Sequence, residues 1–429
     1  MKRILISLIT LVFFCVAATA QDRDVVAGIP VNYDESEVGN YKEGLPDALT
    51  MLNGKKVTTA KQWYKKRRPE IVKLLEEYEY GKWPAKKPKL RYDVEQDMGF
   101  SGDAVRKQIT LYFSEDKQGP RVDVLVYLPK DANGPTPILL NLSFSQNNMV
   151  VSDPGVKPGR RWDTRTKTLV EMQPMPAGMG MGMMRMGMDD TVKKYLKEGF
   201  GFATLCYTDI TPDFQDNAEL GVRGIYPKPG KDGWGAISCW AWGVSNLMDY
   251  FEIDPDIDAT RVAITGCSRL GKTTLWTGAR EERIKVVMPS CSGEGGAAIS
   301  RRIYGETVAH LVEPTRYPYQ FAENYALYAN DITKSPVDAN LVVALVAPRP
   351  LLLQTGSTDI WSDPTGEWLA GVEAGKVWKL LGKDDFGTDV MPEADQPIYH
   401  TLGFVMHDGG HGVMPQDWDY YLEFMKKYL

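Results

Sequence analysis

The chain has 429 residues, 43% of them hydrophobic and 25% charged, with a formal net charge of −6. That composition belongs to a globular protein with enough apolar residues for a sizeable core. The acidic balance excludes nucleic acid as a partner, because a phosphate backbone demands a basic face.

The opening stretch, MKRILISLITLVFFCVAATA, places Lys2 and Arg3 before an apolar run and ends in A-T-A ahead of Gln21. This is the layout of a cleavable secretory signal. The apolar run is shorter than the roughly 20 residues a spanning helix needs, and VFFC lacks the small residues that precede a lipidated cysteine. The expected destination is the periplasm or the extracellular space. No later stretch is apolar enough to cross a membrane. The reading divides the chain into a signal peptide (1–20), a polar N-terminal linker (21–43) and a single catalytic domain (44–429).

In the domain, Thr58 or Thr59 can cap a helix running through IVKLLEEYEYG, which Gly81 and Pro84 end. VRKQITLYFS (105–114) and RVDVLVYLP (121–129) alternate with period 2 and read as strands. PILLNLSF (137–144) is continuously apolar, as suits a central strand buried on both faces. Next comes MQPMPAGMGMGMMRMGMDD (172–190), with 8 of the chain's 18 methionines set among glycines. That spacing opposes a stable helix and marks an insertion between strands.

Strands and helices then alternate. GFGFATLCY (199–207), RVAITG (261–266), IKVVMP (284–289), RPLLLQTG (349–356) and TLGFVMH (401–407) read as strands. WGAISCWAWGVSNLMDYF (234–251), the segment from KTTLWTGARE, and QDWDYYLEFMKKYL read as helices. The fold class is α/β: a mostly parallel central sheet between helical layers, with ligands gathering at the carboxyl ends of the strands. Cys206, Cys239, Cys267 and Cys291 lie in or beside apolar segments, form no C-x-x-C pair, and read as buried free thiols.

TGCSRLGKTT (265–274) admits two readings. From Gly266 to Thr273 it fits the phosphate-loop pattern G-x-x-x-x-G-K-[ST]. It also sets Ser268 in a glycine-flanked turn between a strand and a helix, as a hydrolase nucleophile elbow does. A nucleotide hydrolase needs a second acidic residue at the end of an apolar strand, and none follows here. An α/β-hydrolase needs its partners later, in the order Ser, acid, His. His411, in HDGGHG after the last strand, is placed as the base. Asp359, after the penultimate strand, is placed as the acid that orients it. Asp363 and Glu367 follow closely; the bland reading of Asp363 is a turn cap. His407 and His411 have zinc-like spacing, but Gly409 and Gly410 disfavour a shared helix face and the Glu of H-E-x-x-H is missing. No metal or other cofactor is expected.

The elbow departs from G-x-S-x-G, because Arg269 and Leu270 stand between Ser268 and Gly271. GCSRLGK followed by SGEGGAAISRR resembles the glucuronoyl esterases, carbohydrate esterase family 15. LPDALTMLNGKKVTTAKQWYKKRRPEI, GWGAISCWAWG and DIWSDPTGEWLA are similar to that family as well. The resemblance implies a serine-type α/β-hydrolase that cleaves glucuronoyl or 4-O-methyl-glucuronoyl esters between xylan and lignin alcohols. It implies Ser268 as nucleophile, His411 as base, and Arg269 as an oxyanion donor through its guanidinium and backbone N–H. Lys272, Glu306 and Trp361 would bind the sugar. The partner is a glucuronoxylan or lignin–carbohydrate ester, and the chain is expected to be a monomer. Alternatives are an acetylxylan or feruloyl esterase, or a weakly catalytic carbohydrate-binding homologue. Many family members carry a Glu before a Ser-Gly pair as the acid, and here that position is Cys291. A thiol with an ordinary pKa near 8.5 cannot serve as the orienting anion. Asp359 is therefore taken as the acid, with Asp363 and Glu294 as the other candidates.

Overall fold

The computed structural model describes residues 24–172, 187–228 and 230–429. The expected signal peptide, and residues 173–186 of the methionine-rich insertion, lie outside the described residues.

The core is a nine-stranded sheet. In chain order its strands are β1 (Arg91–Gly99), β2 (Ala104–Tyr112), β3 (Arg121–Pro129), β4 (Thr136–Ser143), β5 (Gly201–Cys206), β6 (Ile257–Cys267), β7 (Val286–Ser290), β8 (Leu351–Gly356) and β9 (Leu402–His407). Across the sheet they run β1-β2-β3-β5-β4-β6-β7-β8-β9. The pairings from β5 through β9 are parallel, while β1, β2 and β3 add an antiparallel edge. Every residue of β4 is buried, which is why its sequence shows no alternation. The eight strands expected from the sequence are present. β1 was not expected, since RYDVEQDMG has few apolar residues, leaves most side chains exposed and is held by backbone pairing to β2.

The principal helices are α1 (Arg68–Tyr78), α2 (Asp189–Lys197), α3 (Ala236–Phe251), α4 (Arg269–Arg280), α5 (Pro364–Leu380) and α6 (Pro415–Tyr428). One face of the sheet packs against α1, α3, α4 and α5, and the other against α2 and α6. Fifteen of the sixteen residues of α3 are buried, so it is an interior helix. Thr59 provides the expected cap, its side chain accepting from the Gln62 N–H, but a π-helical turn at Trp63–Arg67 separates it from α1. Gly81 then allows a backbone crossing, since a Cβ there would lie 2.2 Å from the Gly233 carbonyl oxygen.

The polar segment read as a linker makes specific contacts. Its short ribbon pairs Val25–Val26 with Ile29–Pro30, and Glu35 pairs with Arg302 at 2.7 Å. Cys206, Cys239, Cys267 and Cys291 are free thiols; all but the partly exposed Cys267 are buried. Burial raises the thiols of Cys206 and Cys239 to about 12.

Register gathers the functional loops. Cys267 pairs with Ser290, Ser290 with Gln354, and Gly356 with His407. The chain therefore leaves β6, β7, β8 and β9 at one level, at their carboxyl ends.

Candidate active site

Ser268 occupies the turn between β6 and α4 with φ 61° and ψ −126°. Such a backbone costs a non-glycine residue about 1–3 kcal/mol and persists only where its surroundings impose it. Here the Ser268 N–H donates to the Ser290 carbonyl at 2.9 Å. The displaced glycine accounts for the unusual motif: a Cβ on Gly271 would lie 2.4 Å from that same carbonyl oxygen. On the other side, a Cβ on Gly266 would lie 2.8 Å from the Leu270 carbonyl oxygen. The turn is thus a nucleophile elbow whose second glycine sits one residue late. The phosphate-loop reading gives way to the elbow because the strained residue of this turn is Ser268, which shares a cavity wall with His411 and Asp359; the Lys272 ammonium donates to the Ser292 carbonyl at 2.7 Å.

His411 Nδ1 lies 2.7 Å from Asp359 Oδ2 and 3.2 Å from Ser362 Oγ. The hydrogen bond with Asp359 is the largest influence on the imidazole and raises its pKa above the ordinary value, against the opposing effect of burial. Asp359 is 5% exposed, and its N–H closes a turn onto the Gly356 carbonyl after β8. With Nδ1 engaged, Nε2 is the nitrogen left to face a nucleophile. His407, considered above as a zinc partner, instead supports this loop. Its Nδ1 lies 2.8 Å from Asp417 Oδ2 and its Nε2 2.9 Å from the Gly410 carbonyl, one residue before His411.

The other acid candidates lie elsewhere. Asp363 caps α5 by accepting from the Gly366 N–H at 2.9 Å and pairs with Arg302 at 2.7 Å. Glu294 accepts from Ser300 Oγ at 2.6 Å and Tyr325 OH at 2.8 Å, and burial raises its pKa to about 8. Glu367 accepts the Gly293 N–H at 2.6 Å, and burial raises it likewise to about 8. The Cys267 and Cys291 thiols adjoin, and their mutual hydrogen bond lowers the first and raises the second.

Arg269 is the first residue of α4, so the helix leaves its backbone N–H unbonded. Its guanidinium pairs with Asp213 and lies over the Tyr317 ring, 4.7 Å from the centroid. Burial lowers the Arg269 pKa, but Asp213 more than offsets this and the net shift is upward. Asp213 also accepts from Tyr207 OH at 2.6 Å, Tyr319 OH at 2.8 Å and Gln320 Nε2 at 2.8 Å. Sequence reasoning missed this residue: Asp213 lies 56 positions before Arg269, in a loop with no motif.

Lys272 is buried, and desolvation lowers its pKa. Glu306 pairs with Arg316 at 2.6 Å, and the Arg316 guanidinium lies over Trp361, 5.3 Å from the ring centroid. Arg316 was also missed, since a lone arginine in a loop carries no signal. A cavity of about 360 Å³ brings together Ser268, Arg269, Lys272, Glu306, Trp361 and His411, with Asp359 and Cys291 also on its wall. It therefore holds a serine, an imidazole–carboxylate pair, three basic side chains (Arg269, Lys272 and Arg316) and an aromatic face. That set suits acyl transfer from a polar, oxygen-rich substrate. Glu294 and Asp363 are not on its wall.

A family description, "Glucuronyl esterase, fungi", matches residues 166–382. "Carbohydrate esterase MZ0003", from an unknown prokaryotic organism, is 39% identical over 93% of this chain and 92% of its own length. The 4-O-methyl-glucuronoyl methylesterase of Cerrena unicolor is 28% identical over 82% of this chain and 65% of its own length. Among solved structures, a glucuronoyl esterase from Solibacter usitatus superposes with a TM-score of 0.83 at 40% identity, covering 91% of this chain and 99% of that one. The chain belongs to the glucuronoyl esterases, carbohydrate esterase family 15.

Proposed function

We propose that this chain hydrolyses esters of glucuronic acid and 4-O-methyl-glucuronic acid, such as those joining xylan to lignin alcohols, through an acyl-enzyme on Ser268. By family the chain is a carboxylic ester hydrolase. The observation that carries the proposal is the shared cavity of Ser268, the Asp359–His411 pair, Arg269 and Lys272.

In the proposed reaction Ser268 Oγ attacks the uronate carbonyl while His411 Nε2 takes the serine proton. The tetrahedral oxyanion meets the Arg269 backbone N–H and guanidinium. Asp359 holds the imidazole in the accepting tautomer and stabilises the imidazolium. The alcohol leaves with the proton from His411. Water then attacks the acyl-enzyme, giving its proton to His411, and glucuronate departs as Ser268 regains a proton. A side-chain cation suits this substrate because charge develops next to a sugar ring that other groups can grip. An oxyanion donor of this kind is worth about 2.7–4 kcal/mol in the transition state. Lys272, Glu306 and Trp361 are assigned to the sugar, with Trp361 giving its face to the ring's C–H surface. Export through residues 1–20 and a monomeric state belong to the same proposal.

Kinetics on benzyl glucuronate, aryl acetates and feruloyl esters, with Ser268→Ala as control, test it. The expected result is a preference for the glucuronate ester in kcat/KM that Ser268→Ala abolishes. Turnover confined to acetates or feruloyl esters would overturn the substrate assignment.

A further inference from the structure

We propose that Cys291, Asp359 and His411 form a binding site for a zinc ion, and that occupation of this site reversibly shuts off the esterase. The Cys291 sulfur, an Asp359 oxygen and a His411 ring nitrogen all lie within 4.8 Å of one another. All three residues line the catalytic cavity, so a cation reaching Ser268 reaches them too. One thiol, one imidazole and one carboxylate make a borderline-soft donor set, which selects zinc over magnesium or calcium. Three protein ligands with the fourth position open is a common zinc arrangement.

The adjustments needed are small. Zinc bonds of about 2.0–2.3 Å place tetrahedral ligand atoms roughly 3.3–3.6 Å apart. The 2.7 Å contact between His411 and Asp359 would open slightly and the sulfur would close in. The His411 side chain is 43% exposed, and the Cys291 sulfur would give up its hydrogen bond with the Cys267 thiol and a long 3.5 Å contact with the Gly412 carbonyl. Lys272 shares the cavity wall, but its ammonium is turned to the Ser292 carbonyl. Binding converts the Cys291 thiol to a zinc thiolate and releases its proton to solvent. With zinc on Nδ1, the proton that nitrogen carried moves to Nε2, so His411 can no longer accept the Ser268 proton. The inhibition, though not the binding, rests on His411 being the base of the proposed reaction.

The test uses chelator-treated enzyme, titrated with cobalt(II) and zinc(II) while esterase activity is followed in parallel. One cobalt per chain is expected, with a cobalt–thiolate charge-transfer band that zinc removes. Zinc inhibition should saturate together with that displacement and be reversed by chelator. Cys291→Ser should lose the band and Cys267→Ser should keep it. No band in the unmodified chain, or a band that survives in Cys291→Ser, would overturn the site. Zinc-edge X-ray absorption of the unmodified complex needs no variant: one sulfur at about 2.3 Å supports the site, and the lack of a sulfur shell overturns it. Metal-free activity on glucuronate esters reads the proposed reaction separately. Binding without inhibition would overturn the shut-off while leaving the esterase assignment standing.

Discussion

Asp359→Asn bears most directly on how His411, the proposed base, is held. Asp359 Oδ2 lies 2.7 Å from His411 Nδ1, and the carboxylate side chain is 4% exposed, so no bulk water substitutes for it. An asparagine amide that donates to Nδ1 forces the proton onto Nε2, the nitrogen that must accept from Ser268. In a serine–histidine–aspartate triad this change costs on the order of 10⁴ in kcat. Ser362 Oγ, 3.2 Å from Nδ1, remains as an alternative acceptor that keeps part of the population in the productive tautomer. The expected loss is therefore about 10²–10⁴ in kcat/KM, or about 2.7–5.4 kcal/mol at 1.36 kcal/mol per decade. A second signature has a definite sign. In the proposed reaction His411 works as a neutral base, so activity is lost as pH falls through its pKa, and the Asp359 hydrogen bond is the largest cause raising that pKa. The acid limb of kcat/KM should lie above the ordinary imidazole value of about 6.5 in the parent and move to lower pH in Asp359→Asn. The assay is kcat/KM for benzyl glucuronate across both limbs. Near-parental turnover in Asp359→Asn, with turnover abolished in Glu294→Gln, would refute the reasoning.

Gly271→Ala should destabilise the elbow and depress activity, because its Cβ would meet the Ser290 carbonyl oxygen at 2.4 Å; a Tm and kcat/KM equal to those of the parent would contradict this. Arg269→Ala should lower kcat by about 10²–10³, the cost of one oxyanion donor, with the loss in kcat rather than KM on benzyl glucuronate. Thermal stability should fall as pH rises from about 4.5 towards 8, because Glu294 and Glu367 are raised to about 8 by burial and so hold protons that the unfolded chain has released. Each adds a slope of up to about 1.4 kcal/mol per pH unit in that window, and Glu294→Gln should flatten its share in melting curves taken across it. Trp361→Ala should raise KM for glucuronate esters more than it lowers kcat, as loss of a sugar platform predicts.

The parts of this protein legible in its sequence are those with local causes. β4 reads as a strand because burial on both faces makes PILLNLSF continuously apolar. Gly266, Ser268 and Gly271 read as an elbow because the strained turn and the close approach of the helix dictate their sizes. The acid stayed open between Asp359, Asp363 and Glu294, because three carboxylates in loops differ only in what surrounds them. Asp363 turned out to be a helix cap with φ 54°, and Glu294 a buried acid that accepts from Ser300 and Tyr325. Asp213, Arg316 and the supporting role of His407 were invisible for a related reason. Their meaning lies in contacts with Arg269, Trp361 and the Gly410 carbonyl, which chain folding alone brings near. β1 escaped because backbone pairing at a sheet edge leaves almost no mark on side-chain pattern.

Covalent chemistry at Ser268 is the most direct test of the proposed reaction. Enzyme turning over benzyl glucuronate, quenched in acid and digested, should show a glucuronoyl adduct on the peptide carrying Ser268, with none in Ser268→Ala. An enzyme that turns over the ester with no adduct under burst conditions, or with the adduct on Cys267, would contradict the account.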